Sequence, residues 1–321
     1  DLVRSRGLGD VYKRQHPIYL GQCTLTRGKP LMNTMNRVPY DWPNRQISRS
    51  VEVAGLAWHV QISGKGPLIL LLHGTGSSTH SWAELTPILN KEAQILNLDL
   101  PGHAFTLGAP IDSLKLEEIA RSLIGLVQEL KLPWPTMVVG HSAGAPLALA
   151  FAVQAKVKPQ IIIGFNPSLI PPPPSYTQFF GPMLGPVTKS ATLASILAKI
   201  APMSGMTDRL LDSTNTNLPE TNRNYYRRLF ASPDHVRGAM NFMASANISQ
   251  VLSASSNLPS KLIWVIGESD QWVPEIGLQK IIQQYFAKST VIHWQGGHIM
   301  HEVETDKSAD LILSELRTLK K

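Results

Sequence analysis

A chain of 321 residues with 43% hydrophobic and 17% charged residues can bury one large core or two modest ones, and its composition is that of an ordinary globular protein. The formal charge of +7 shrinks on inspection, because residues 1–15 carry four basic and two acidic side chains and residues 16–34 add Arg27 and Lys29, leaving +3 from Met35 onward. That balance, with no Lys/Arg stripe interleaved with aromatics, argues against a nucleic-acid partner, and no apolar run approaches the ~18 residues of a transmembrane segment.

The opening DLVRSRGLGDVYKRQ resembles translated adaptor sequence, and residues 16–34 have neither helical nor strand periodicity. Residues 1–34 are therefore expected to be a non-native upstream segment, with Met32 or Met35 as the natural start. The single cysteine, Cys23, falls inside it, so disulfides, thiol catalysis and cysteine metal sites are not expected. Nothing near Met35 has the charged, apolar and small-residue succession of a secretory signal, and the cytoplasm is the expected location.

From Ser50, SVEVAGLAWHVQISG alternates apolar and polar residues about Ala-Gly, as an antiparallel hairpin would. The rhythm then changes. PLILLLHG (67–74), AQILNLDLPG (93–102), TMVVGHS (136–142), QIIIGFNP (160–167), KLIWVIGESD (261–270) and STVIHWQGG (289–297) are short continuous apolar runs, the signature of parallel strands buried on both faces. Helical stretches lie between them at 115–131, 143–155, 274–285 and 306–319; in the first, Leu116, Ile119, Ala120, Leu123, Ile124, Val127 and Leu130 share one face. The pattern predicts an α/β fold with a mostly parallel, doubly wound sheet opened by an antiparallel hairpin.

More than ninety residues without a core strand separate Pro167 from Lys261. Residues 168–253 are expected to be an inserted helical lid on a core formed by 35–167 and 254–321. The lid opens with Pro172-Pro173-Pro174 and holds helix candidates at 193–201 and 233–246, the latter with Ser232 as N-cap and Pro233 as first residue. Met183, Met203, Met206, Met240 and Met243 fall here, and such flexible side chains either line a broad pocket or pack the lid onto the core.

In an open α/β sheet the ligand crevice lies at the carboxyl ends of the strands, and three chemically apt residues fall there. Ser142 sits between Gly140 and Gly144 where a strand turns into a helix, a place that forces positive φ on the nucleophile and demands small neighbours. Asp270 and His298 follow the next-to-last and last strands, and the order Ser, Asp, His is that of an α/β-hydrolase. Neutral His298 would take the Ser142 proton, and Asp270 would hold the imidazole tautomer. The backbone N–H of Ala143 and that of Thr75, in the loop His73-Gly74-Thr75-Gly76, are the expected oxyanion donors, with His141 supporting the turn. Glu268 is the alternative acid.

A rival reading takes GTGSST (74–79) and Asp99 as a dinucleotide-binding loop, but Thr79 stands where the third glycine belongs and a hairpin precedes the strand. His73, His80, His103 and His141 lack metal-ligand spacing, as do His298 and His301. Neither metal nor cofactor is expected.

A denser pattern runs from Asp41 to the end: DWPNRQISRSVEVAGLAWHVQ (41–61), LLLHGTGSSTHSW (70–82), LDLPGHAFT (98–106), VGHSAGA (139–145), YRRLFASPDHVRGAMNFMA (226–244) and GESDQWVP (267–274). In these motifs the chain resembles the magnesium-chelatase accessory (BchO) family of α/β-hydrolases, which belongs to bacteriochlorophyll biosynthesis and photosynthesis. It departs from common hydrolase patterns at Ala104, where glycine is usual, and at Asn166, where some relatives carry their acid.

The resemblance implies a triad of Ser142, Asp270 and His298 and a role in helping magnesium enter protoporphyrin. It implies a small-molecule substrate, a porphyrin or a related ester, the chelatase subunits as partners, and a place in the cytoplasm or at the periphery of the photosynthetic membrane. It names no reaction. A serine hydrolase of esters, thioesters or amides, a porphyrin-binding accessory or chaperone with a vestigial triad, and a generic carboxylesterase all stay open. In the porphyrin readings Met240 and Met243 would line the ligand site, and Arg237, with Arg227 and Arg228, would meet its propionates.

Overall fold

Uninterrupted apolar runs can be buried only between two layers of helices, and the computed structural model, which describes residues 33–109, 114–170, 190–200 and 204–319, places them so. Eight strands form one sheet: β1 (Ser48–Val53), β2 (Leu56–Ser63), β3 (Leu68–Leu72), β4 (Gln94–Leu98), β5 (Met137–His141), β6 (Ile161–Phe165), β7 (Lys261–Gly267) and β8 (Thr290–Trp294). Their order is β1-β2-β4-β3-β5-β6-β7-β8. β1 pairs antiparallel with β2 and β2 antiparallel with β4; every later pairing is parallel. The expected hairpin turns through Ala54 and Gly55, both at positive φ, as a tight two-residue turn requires.

Strand alternation divides the core. Leu68, Leu70 and Leu72 of β3 pack with the helices α2 (Leu116–Glu129) and α3 (Gly144–Gln154) on one face. Ile69 and Leu71 pack on the other with Trp82, with Leu89 of the short α1 (Thr86–Leu89), and with Ile312 and Leu316. The last two belong to the closing helix, numbered below. Helix α3 is apolar all round because it is covered all round.

The insertion contributes α4 (Ala191–Ile200), α5 (Met206–Asp212), α6 (Glu220–Phe230), α7 (Pro233–Ser245) and α8 (Ile248–Ser255). Ser232 caps α7 through its side chain, which accepts from the His235 N–H, and Pro233 is its first residue. α7 lies against the loop after β4 with no side chain between them: a Cβ on Gly238 would fall 1.8 Å from the Gly102 carbonyl oxygen. α8 straddles the expected lid boundary at 253/254, and its Val251 and Leu252 join the core cluster of α2 and α3. The chain then closes with α9 (Glu275–Tyr285), α10 (Met300–Val303) and α11 (Thr305–Thr318), the last carrying Ile312 and Leu316.

Packing at the amino-terminal side begins earlier than the expected division at 34/35. Thr34 is fully buried, its N–H donates to Ser50 Oγ at 3.2 Å, and Val38 and Trp42 pack beneath Leu229 of α6. The adaptor-like stretch, Cys23, the proline run 171–174, Met183 and Met203 lie outside the described residues.

Candidate active site

β5 delivers Ser142 to the sheet edge, and α3 begins two residues later. Ser142 holds φ at +50°, a strained conformation for a residue with a Cβ. Its neighbours show why glycine flanks it. A Cβ on Gly140 would lie 2.4 Å from the Gly144 carbonyl oxygen, and one on Gly144 would lie 2.2 Å from that of Leu72.

Ser142 Oγ is 2.9 Å from His298 Nε2, and His298 Nδ1 is 2.8 Å from Asp270 Oδ2. A carboxylate only accepts, so Nδ1–H donates to Asp270 and Nε2 is left to accept from the serine hydroxyl. Asp270 Oδ1 also accepts from the N–H groups of Trp272 and Val273, at 2.7 and 3.1 Å. The Trp272 ring lies 5.1 Å from that of His298 and covers it. Glu268, the alternative acid, is exposed and pairs with Gln295 instead.

The loop carrying His298 is braced from three sides. Asn166, at φ +44° after β6, donates from Nδ2 to the carbonyls of Gly297 and His298, both at 2.9 Å, and accepts the Gly267 N–H at 2.6 Å. His141 donates from Nε2 to the His298 carbonyl at 2.9 Å. From the lid side, the Thr214 carbonyl accepts the His298 N–H at 2.8 Å and Thr216 Oγ1 accepts the Ile299 N–H at 3.0 Å. The lid presses so close that a Cβ on Gly297 would lie 2.2 Å from the Asn215 carbonyl oxygen. Thr214 and Thr216 escaped the sequence reading, and Asn166 stood out there only as a departure from relatives that carry their acid at that position; the Gly296-Gly297 pair before the histidine was the one local sign of a tight contact.

His73 shapes the expected oxyanion loop. Its Nδ1–H donates to the Gly74 carbonyl at 2.8 Å and its Nε2 accepts the Leu100 N–H at 2.9 Å. This bonding requires a neutral ring, and burial holds His73 below the ordinary histidine value. Burial, with His301 and His298 nearby, pushes His141 well below it. Gly74 leaves the room His141 needs, since a Cβ there would meet its Nδ1 at 2.8 Å. Among the described residues the backbone N–H groups of Thr75 and Ala143 have no protein partner, and both residues line the cavity in front of Ser142.

That cavity has a volume of about 440 Å³. Phe242, Met243 and Ile248 form its lid wall, Ile170, Trp272 and Val273 face them, and Ser168, Ser245, Asn247 and Ser249 supply uncharged polar groups. Of the lid residues expected at the ligand, Met243 lines this space. Met240 does not: it is buried inside the lid with Ala194, Ala198, Leu210 and Val236. Arg237 lies beside a second, smaller cavity near Gly102 and pairs with Asp234 at 3.5 Å. Arg227 is held by Asp208 and Glu220, and Arg228 by Asp41. None of these arginines is among the residues that line the cavity before Ser142.

A second buried cluster joins lid to core. Glu302 accepts from Ser81 Oγ and Tyr226 Oη, both at 2.7 Å, and from Asn222 Nδ2 at 3.0 Å. Burial pushes its carboxyl above the ordinary value despite these donors. The dinucleotide reading fails on bonding as well as spacing, because Asp99 is buried and occupied by His59 at 2.7 Å and by the N–H groups of Thr79 and Phe105.

Strand-edge serine, imidazole and carboxylate beneath a helical lid define a class, and a family model described as "Alpha/beta hydrolase family" matches residues 69–311. The chain belongs to the alpha/beta hydrolase family. It is 28% identical over 281 residues to the magnesium-chelatase 30 kDa subunit of Rhodobacter capsulatus, covering 87% of this chain and 98% of that protein. It is also 36% identical over 102 residues to protein phosphatase methylesterase 1 of Mus musculus, but spans only 26% of that protein. Among solved structures, the enol-lactonase of Burkholderia xenovorans LB400 has the same fold, with a TM-score of 0.67 at 18% identity, over 84% of this chain and 99% of that one.

Proposed function

We propose that the protein is a serine hydrolase of esters, thioesters or amides that serves the magnesium-insertion stage of tetrapyrrole synthesis. The observation that carries the hydrolase reading is the 2.9 Å contact of Ser142 Oγ with an imidazole whose other nitrogen is fixed by Asp270, at the floor of an apolar cavity. In this reading His298 takes the Ser142 proton as Oγ attacks the acyl carbon, the oxyanion settles on the N–H groups of Thr75 and Ala143, and the leaving group departs with that proton. Water then releases the acyl group by the same route. Each oxyanion donor contributes about 3 kcal/mol.

The similarity over most of the chain to a protein named as a magnesium-chelatase subunit supports the pathway and favours association with the chelatase. It also favours a second reading, in which the cavity holds a porphyrin without turnover. No helix among the described residues is long and apolar enough to cross a membrane; attachment at the periphery of the photosynthetic membrane belongs to this proposal. Fluorophosphonate labelling of the wild type beside Ser142→Ala, with protoporphyrin as competitor, tests both. Labelling that needs Ser142 supports the hydrolase; no labelling, together with a porphyrin Soret shift on binding, favours the accessory role.

A further inference from the structure

We infer that the cavity selects esters with no charge on either the acyl or the alcohol side and rejects a substrate bearing a free carboxylate; this rests on the hydrolase reading. Among the described residues that line the space, His298 is the one ionisable group. The lid is nevertheless rich in arginine, which would be the natural reader of a carboxylate. Arg223 and Arg227 are bound to Asp208, with Asp212 and Glu220 beside them, Arg228 to Asp41, and Arg237 to Asp234, while Lys199 and Arg209 are exposed and are not among the residues lining the cavity. The lid sequence outside the described residues, 171–189 and 201–203, holds a single cation, Lys189.

A carboxylate brought into this space would exchange water for apolar walls with no counter-charge, and Asp270 lies directly behind the imidazole. The uncharged polar groups, Ser168, Ser245, Asn247 and Ser249, suit carbonyl and ether oxygens. The same walls govern product release. Hydrolysis breaks the bond between acyl carbon and alkoxy oxygen, adds the water oxygen to the acyl carbon and leaves a carboxylic acid that loses its proton to solvent. The new anion meets the same walls and is expelled, so product inhibition by the acid is weak.

The test uses the full chain and a matched pair, mono-p-nitrophenyl suberate and its methyl ester, whose distal carboxyl is free in one and capped in the other and is too remote to attack the aryl ester itself. The capped ester is expected to be favoured at least about 100-fold in kcat/KM, and Ile248→Arg, on the cavity wall, should narrow that ratio at least about 10-fold by supplying the missing cation. Equal turnover of the two esters by the wild type overturns the inference and leaves the hydrolase standing. No turnover of either, with no fluorophosphonate labelling, overturns the hydrolase reading and this inference with it.

Discussion

The backbone N–H of His298 donates to the carbonyl of Thr214 at 2.8 Å, which makes the loop carrying the base part of the contact with the lid. Gly297, one residue earlier, has no room for a side chain under Asn215. Gly297→Ala should therefore displace the imidazole from Ser142. A misplacement of about 1 Å costs on the order of 100-fold in rate, and that loss should appear in kcat toward a small activated ester while far-UV circular dichroism stays unchanged. Wild-type kcat would mean that the loop moves independently of the lid.

Ser142 is strained at φ +50°. Ser142→Gly relieves the Cβ conflict, so it should abolish labelling and turnover while raising stability by about 1 kcal/mol, or about 1–2 °C in Tm for a domain of this size. Calorimetry on the two proteins measures this, and a lower Tm in the glycine variant would show that the hydroxyl's hydrogen bond outweighs the strain.

Asn166 presents its two N–H bonds to the carbonyls of Gly297 and His298. Asn166→Asp turns a donor into an acceptor facing two acceptors, in a site with 1% exposure. The expected cost is about 3 kcal/mol, read as a lower urea midpoint, with a fall in kcat larger than any change in KM. A variant as stable as the wild type would show that the loop re-forms its bonds elsewhere.

Burial lowers His80 and His301 to about 3 and His235 to about 4. In the unfolded chain each binds a proton as pH falls through 6.5, while the folded ring stays neutral until far lower pH. The unfolded state thus holds more protons below 6.5, and stability falls as the pH drops. At pH 5 each ring costs roughly 2 kcal/mol. Glu302, raised by burial, acts in the opposite direction. Urea unfolding at pH 7 and pH 5 should show a loss of several kcal/mol; a flat profile would mean that these rings are solvated.

The central strands were legible because Leu68–Leu72 and its parallel partners are apolar on both faces, and a residue run shows that without any partner in view. The serine, aspartate and histidine positions were legible because topology places strand ends together. The lid was less so. Helix α6 buries only Tyr226 and Leu229, too little for a periodic stripe. Met240 and Met243 are three residues apart on α7, yet one packs against other lid helices and the other lines the cavity. The fate of Arg228 depended on Asp41, far away in sequence. Ala104 holds φ +43°, the conformation that makes glycine usual at that position, and its N–H is taken up by His235 Nδ1 at 3.0 Å, another partner distant in sequence.

Helix α7 carries both Gly238, which rests on Gly102, and the pair Phe242 and Met243, which forms part of the wall opposite Ser142. The height of the chamber is therefore set by two missing methyl groups rather than by any residue that a ligand touches. Adding one at Gly238 would lift the helix like a shim under a beam, enlarging the space before Ser142 at the expense of a looser lid. The space in front of Ser142 is bounded by a helix that is seated at a contact containing no side chain.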